Sequence, residues 1–375
     1  MTPPYNSSKC FTALSQLMLC ARTPDQPWEE RELLPCALAD KSFDAVIALH
    51  QEDLEHLLEL ANSHHVVVRS LAPFWQIMAA AKNQQWAEWA RNVIEGERAR
   101  IKDALSFLEL IVEALRDGGC AVTVIKSLDH WPDLGSDLDL YTSTDSASVI
   151  RIMRQGFNAQ LAARSWGDRL ANKWNFTLPG LRAAVEVHVG RLGQTGEQVA
   201  LANSLGAHAR LAQLGDRTFQ VPAAGDRLMI TTLQRMYRHF YIRLCDIADT
   251  AQLLETETID YDDLQSSAQA AGIWEGVATF LTIVSDYVKS YRGNGLALPS
   301  CVRASAQFGG DQLRFCRGFL RIPILPHSAK LYASELTRFI RNGEMKNTVR
   351  LSLLPCLATA AAMEHKITGS DKGIW

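Results

Sequence analysis

No two of the eight cysteines in this 375-residue chain stand at C-x-x-C spacing. The usual sequence signal of a zinc or thioredoxin-like centre is therefore missing. Single cysteines scattered through apolar surroundings fit small buried hydrophobes in a reducing compartment, so a cytoplasmic location is expected. No uninterrupted apolar run reaches the ~18 residues that a membrane span needs. Phe11 to Ala21 comes nearest to a targeting segment, but Thr12, Ser15 and Gln16 interrupt it and only Lys9 precedes it as a positive charge. It predicts a first helix rather than a signal peptide. An excess of positive charge is missing too. A net charge of −3 gives no support for a general nucleic-acid binder, which is usually basic. Solenoid-type repeats, low-complexity segments and an obvious linker are all lacking.

What is present divides by period. Apolar residues recur at helical spacing over 42–61 (Val46, Ile47, Leu54, Leu57, Leu58, Leu60), over 71–81 and over 86–115, the last as one or two long helices. Gly118-Gly119 is placed to end them. The period then changes. Cys120 to Ile125 reads as a buried strand, 126–136 as a loop and 138–141 as a second strand. A helix over 145–155 is expected, capped by Ser143 or Thr144. Residues 173–178 and 182–189 alternate on either side of Pro179-Gly180, a hairpin signal. Residues 218–221 suggest one more short strand. Helical period returns over 226–254, 274–291 and 331–340. The expected fold class is α+β: a small mixed sheet (residues 119–222) embedded between a helical N-terminal region (1–118) and a helical C-terminal region (223–375).

The chemistry-bearing stretch is Gly135-Ser136-Asp137-Leu138-Asp139-Leu140. Side chains alternate along a strand, so Asp137 and Asp139 share one face and Leu138 and Leu140 the other. Adjacent carboxylates repel unless a cation lies between them, and Mg²⁺ is a hard ion that takes such oxygen ligands. The same spacing also suits the wet face of an edge strand. Ala184-Val185-Glu186-Val187-His188 adds a third carboxylate, with Glu186 and His188 on one face. Three converging carboxylates are a natural ligand set for two Mg²⁺ ions in phosphoryl transfer.

These residues resemble the nucleotidyltransferase superfamily, whose fold is that of DNA polymerase β and kanamycin nucleotidyltransferase. Its motif is h-G-[GS], nine to thirteen residues, then D-h-[DE]-h, with a third acid on a later strand. Ile125-Lys126-Ser127, nine residues and Asp137-Leu138-Asp139-Leu140 match that spacing, and Glu186 matches the third acid. Lys126 stands where the motif has glycine. Within the superfamily the chain is most similar to bacterial proteins named uncharacterised nucleotidyltransferases, over roughly residues 45–255. These carry an E-h-H strand and a helix of pattern H-x-x-x-R/K-L-x-x-D. His239 to Asp249 is similar here, with His239, Arg243 and Leu244 in place and Asp246 one position before the pattern's aspartate.

The resemblance implies a transferase that moves NMP from an NTP, ATP foremost, to an acceptor and releases pyrophosphate. Asp137, Asp139 and Glu186 would hold two Mg²⁺ ions, with Mn²⁺ as a substitute. Glu186 is also a candidate base for the acceptor's proton. Lys126, Ser127 and Ser136 would meet the phosphates. The acceptor is open: a small molecule, sugar, peptide, protein or RNA end. His188 is expected to orient Glu186 or touch substrate. Positions 235, 238, 239, 243 and 246 step along one helix face, so Arg243 is expected at phosphate and Asp246 beside His239 or Arg243. Arg164, Arg169 and Lys173 precede or open the hairpin within reach of a triphosphate. Trp131, Trp166 and Trp174 suit base stacking or core packing. Two other readings remain: a binding or scaffold protein on a decayed nucleotidyltransferase fold, which Lys126 favours, and a toxin that adds nucleotides to tRNA.

Overall fold

The structure, a computed structural model, describes residues 5–20 and 43–356. The N-terminal part is helical: α1 (Tyr5–Leu19), α2 (Asp44–Ile47), α3 (Asp53–Ser63), α4 (Val67–Ala80) and α5 (Gln84–Asp117). The stripe over 42–61 divides between α2 and α3. Asp53 accepts the His50 N–H at 2.7 Å and starts a new helix. α5 is a single helix of 34 residues, opened by Asn83, whose side chain accepts the Trp86 N–H at 3.3 Å. It closes at the expected glycines. Gly119 takes φ 83°, a conformation open to glycine, and turns the chain toward the sheet.

The central part holds β1 (Val122–Val124), β2 (Asp137–Thr142), α6 (Ser146–Phe157), β3 (Gln160–Leu161), α7 (Trp166–Leu170), β4 (Lys173–Thr177), β5 (Ala184–Val189), α8 (Val199–Ala207), β6 (Arg210–Leu214) and β7 (Arg217–Val221). Five strands form one mixed sheet in the order β1-β2-β5-β4-β3. β2 and β5 lie parallel at its centre, while β1 and β4 run antiparallel to them. Asp145, not Ser143 or Thr144, caps α6 by accepting the Ser148 N–H at 2.9 Å. The strand expected at 218–221 pairs with β6 in a separate hairpin. Leu138, Leu140, Val185 and Val187 are each fully buried. Burial of each contributes about 1.5–3 kcal/mol, which fixes the register and sends the intervening polar residues to the opposite face.

The C-terminal part comprises α9 (Ala224–Thr232), a π-helical turn (Leu233–His239), β8 (Tyr241–Ile242), α10 (Leu244–Thr256), α11 (Tyr261–Ala270), α12 (Trp274–Arg292), α13 (Ser300–Ser305), β9 (Arg314–Cys316), β10 (Phe319–Arg321), α14 (Ala329–Arg341) and α15 (Met345–Ser352). Two expectations need correction. The helix expected over 226–254 is broken: Phe240 takes the left-handed conformation at φ 54°, and its N–H closes the π-turn on the Arg235 carbonyl at 3.0 Å. The chain then pairs β8 with β10, and Asp246 restarts the helix by accepting the Arg243 N–H at 2.7 Å. The region is also not purely helical, since β8, β10 and β9 form a three-stranded sheet. One cluster of buried apolar side chains runs from Leu14 on α1 through Leu138 and Val185 to Phe280 on α12. Among the described residues, no helix is long and apolar enough to cross a membrane.

Candidate functional site

The parallel pairing of β2 with β5 sets Asp139 directly beside Glu186 and Asp137 beside Ala184. Asp137, Asp139, Glu186 and His188 thus share the sheet face opposite the buried leucines and valines. β4 extends this face, with Lys173 paired to His188. The convergence of the three acids follows from strand register, not from loop placement.

Each acid has a different environment. Glu186 is ringed by donors: Lys173 Nζ lies 2.9 Å from its Oε2, His188 Nε2 lies 2.8 Å from its Oε1, and Lys126 Nζ lies 3.7 Å from its Oε1. Burial opposes its ionisation, but Lys126, the His188 hydrogen bond and Lys173 hold its carboxyl well below the usual range. Asp139 is paired with Lys126 and lies 3.7 Å from His188 Nε2. Asp137 stands at the exposed mouth; among the described residues it has no ion-pair partner, and its carboxylate meets the Ser136 hydroxyl at 3.4 Å. The surrounding protein still withdraws solvent from it. That, with the charges of Asp139 and Glu186, pushes its carboxyl up to about 6 against the pull of Lys126.

Lys126 takes φ 61° and ψ −53°, and the Ser127 N–H reaches back to the Ile125 carbonyl at 2.6 Å. This is a γ-turn with positive φ, a strained conformation for any residue with a side chain. It costs of order 1–3 kcal/mol. Glycine would adopt it freely, so the backbone here has the shape that the motif's glycine suits. The Ser127 hydroxyl is committed to the chain itself: it accepts the Asp139 N–H at 2.7 Å and donates to the Asp137 carbonyl at 3.2 Å. The loop is stitched to β2 by this serine, which leaves its hydroxyl engaged rather than free for phosphate.

The other expected residues distribute unevenly. Lys173 bridges Glu186 and Asp168 Oδ1, the latter at 3.0 Å. Arg164 stacks on Trp174 at 3.7 Å, and Arg169 lies over the exposed Trp166 at 5.3 Å. Trp131 and Trp174 pack against the apolar core. Because the helix is broken at Phe240, residues 235, 238, 239, 243 and 246 do not share one face. Arg243 turns to His65, with Nη1 2.6 Å from His65 Nε2, and a Cβ built on Gly135 would lie 3.9 Å from that same nitrogen. Arg243 therefore sits behind the start of β2. Asp246 holds the Arg243 backbone and lies 2.7 Å from Arg235 Nε. His239 lies against the Tyr241 ring at 5.4 Å, and burial with four nearby cations, Lys126 among them, keeps it well below its ordinary value.

Asp168 was not among the expected residues. A Ser165-x-x-Asp168 capping box was legible in the sequence, and that box fixes the carboxylate that holds Lys173. A cavity of about 40 Å³ opens beside Lys126 and His188 and is closed by Tyr237, Arg238, Tyr332 and Glu335. It adjoins a more apolar cavity of about 300 Å³ that includes Met236, Phe240 and Ile324. A second group, His130, Cys245 and Asp249, also converges within 4.8 Å. Asp249 is already paired with Arg69, so this group acts as a buried tie.

The donor set on the sheet fits a hard divalent cation. Asp139, Glu186 and His188 offer ligand atoms within 4.8 Å of one another, and Asp137, outside that group, adds a carboxylate on the same face with no ion pair among the described residues. His188 Nδ1 is buried with no hydrogen-bond partner. No protein-family model matches this chain, and no curated protein matches it.

Proposed function

We propose that the chain is a nucleotidyltransferase, moving NMP, AMP foremost, from an NTP to an acceptor with release of pyrophosphate. The observation that carries this reading is the in-register pairing of Asp139 with Glu186 on parallel strands, with Asp137 on the same face. Asp137, Asp139 and Glu186 would hold Mg²⁺, which supplies charge neutralisation on the phosphates and a lowered pKa at the acceptor. The chain's own residues do the rest. Lys126, on its strained turn, sets a point charge against Asp139 and Glu186. Lys173, fixed by Asp168, keeps Glu186 ionised and oriented. The cavity beside Lys126 and His188, with the more apolar one that adjoins it, would give the acceptor a place near the acids. The acceptor oxygen bonds to the α-phosphorus as the bond to the bridging oxygen breaks. Its proton passes to solvent water at the exposed mouth beside Asp137.

The test is incubation with α-³²P-labelled NTPs and Mg²⁺, alone and with cell extract. Label transfer with pyrophosphate release is expected, and Asp137→Ala and Asp139→Ala should each lower it by about a hundredfold or more. Labelling unchanged in both variants would defeat the assignment. A second reading, a binding or scaffold protein on a decayed nucleotidyltransferase fold, is favoured by the contact of the Lys126 ammonium with Asp139. It prevails if no nucleotide binds in the presence of Mg²⁺ or Mn²⁺.

A further inference from the structure

The cation position between Asp139 and Glu186 is one that the chain itself reaches. Lys126 Nζ pairs with Asp139 Oδ1 and lies 3.7 Å from Glu186 Oε1. These are two of the three residues whose ligand atoms converge with His188. A divalent ion bound there would compete with the ammonium for the same oxygens. The turn that aims Lys126 has φ 61°, so the chain retains a side chain in a conformation that glycine would adopt without strain. The retained side chain ends on the carboxylates.

Charge balance points the same way. Asp137, Asp139, Glu186 and Asp168 face two ammoniums, Lys126 and Lys173. Two negative charges are left over. One divalent ion neutralises them, and a second would overshoot before any substrate binds. The uncovered end of the site is Asp137, which has no ion-pair partner among the described residues. His188 belongs to the same group: it is 4% exposed, lines the same cavity as Lys126 and sets its Nε2 2.8 Å from Glu186 Oε1, while its Nδ1 has no hydrogen-bond partner among the described residues.

We infer that Lys126 is a built-in cation that takes the place of one of the two divalent ions, so that the chain binds one ion where two would otherwise sit. This rests on the nucleotidyltransferase reading above. The remaining ion belongs at the Asp137 end, and Lys126 covers the Asp139–Glu186 end.

Electron paramagnetic resonance of free Mn²⁺ during titration of the full chain tests this without any activity. The unaltered chain should take up one Mn²⁺. Lys126→Met, which keeps the side-chain bulk and the turn but removes the charge, should take up a second ion at least about tenfold more tightly. Lys126→Gly, which also frees the backbone, should do the same. Circular dichroism establishes that each variant is folded. Two ions bound by the unaltered chain as tightly as by the variants would overturn the role of Lys126 and leave the acidic site standing. A gain in Lys126→Gly alone would overturn it as well, since strain rather than charge would then be responsible. If no form takes up Mn²⁺, the inference and the metal-dependent reading fail together.

Discussion

His64 shows how one buried side chain fixes a protonation state. It is fully buried, its Nδ1 accepts the Leu244 N–H at 2.9 Å, and its Nε2–H donates to the Gly318 carbonyl at 2.7 Å. Both partners are backbone groups with fixed roles, so the ring must be neutral. Burial and the nearby Arg243 lower its pKa from 6.5 to about 4. The unfolded chain therefore binds the extra proton first as pH falls. The stability that this histidine contributes is fully present above pH 6.5 and is lost as pH drops toward 4. At about 1.36 kcal/mol per unit, roughly 2 kcal/mol is gone by about pH 5. Urea denaturation at about pH 7.5 and about pH 5 should show a loss about 2 kcal/mol larger in the unaltered chain than in His64→Gln, whose remaining loss comes from the other buried histidines; equal losses in both would contradict it. Asp137 and Lys126 belong to the same scale. One is an acid left without a counter-charge, the other a cation on a turn shaped for glycine. The experiments on both, label transfer for the acid and Mn²⁺ uptake for the lysine, test single side chains rather than the fold.

Among the elements, the junction of α5 with β1 has a local cause that can be isolated. Gly119 adopts φ 83°, and a Cβ built on it meets nothing within 4 Å. Gly119→Ala should cost about 1–2 kcal/mol through the backbone alone, measured as a shift in the denaturation midpoint at unchanged slope. Gly118→Ala is a different case, because its Cβ would lie 2.3 Å from Ile152 Cδ1 and press α5 against α6. A neutral Gly119→Ala would show that the turn relaxes. The sheet and the interrupted helix contrast in the same way. β2 and β5 follow from alternation in the sequence, because Leu138, Leu140, Val185 and Val187 leave only one face for the acids. The break over 233–243 carries no such mark. Leu228, Leu233, Phe240, Leu244 and Ile247 keep helical spacing, yet the pairing of β8 with β10, some eighty residues onward, pulls the segment straight. Helical period describes what a segment can bury, not whether a distant strand competes for its backbone.

For the molecule as a whole, Arg69 joins parts that are remote in sequence. Its Nε lies 2.9 Å from Asp133 Oδ2 and its Nη1 pairs with Asp249, while Asp133 also accepts the Val68 N–H at 2.6 Å. His130 takes the other oxygen of Asp249. Burial alone would raise the Asp249 carboxyl, but Arg69 and His130 hold it below its ordinary value. α4, the loop after β1 and α10 are thereby tied together behind the acidic site. Arg69→Met should cost about 3–5 kcal/mol in urea denaturation, because Asp133 is left buried without its cation and Asp249 keeps only His130, and adding Asp249→Asn should recover part of it. A loss below about 1 kcal/mol would mean that the tie is not under load. The amino-acid sequence alone determined the α+β class, the strand faces, the glycine end of α5 and the shared face of Asp137 with Asp139. Each of these follows from side-chain period or capping within a few residues. Tertiary structure decided that Glu186 lies beside Asp139, that Lys126 meets both acids, and that Arg243 turns to His65, 178 residues away. Such pairings depend on strand register and helix packing, where buried area summed over the whole core outweighs any local preference.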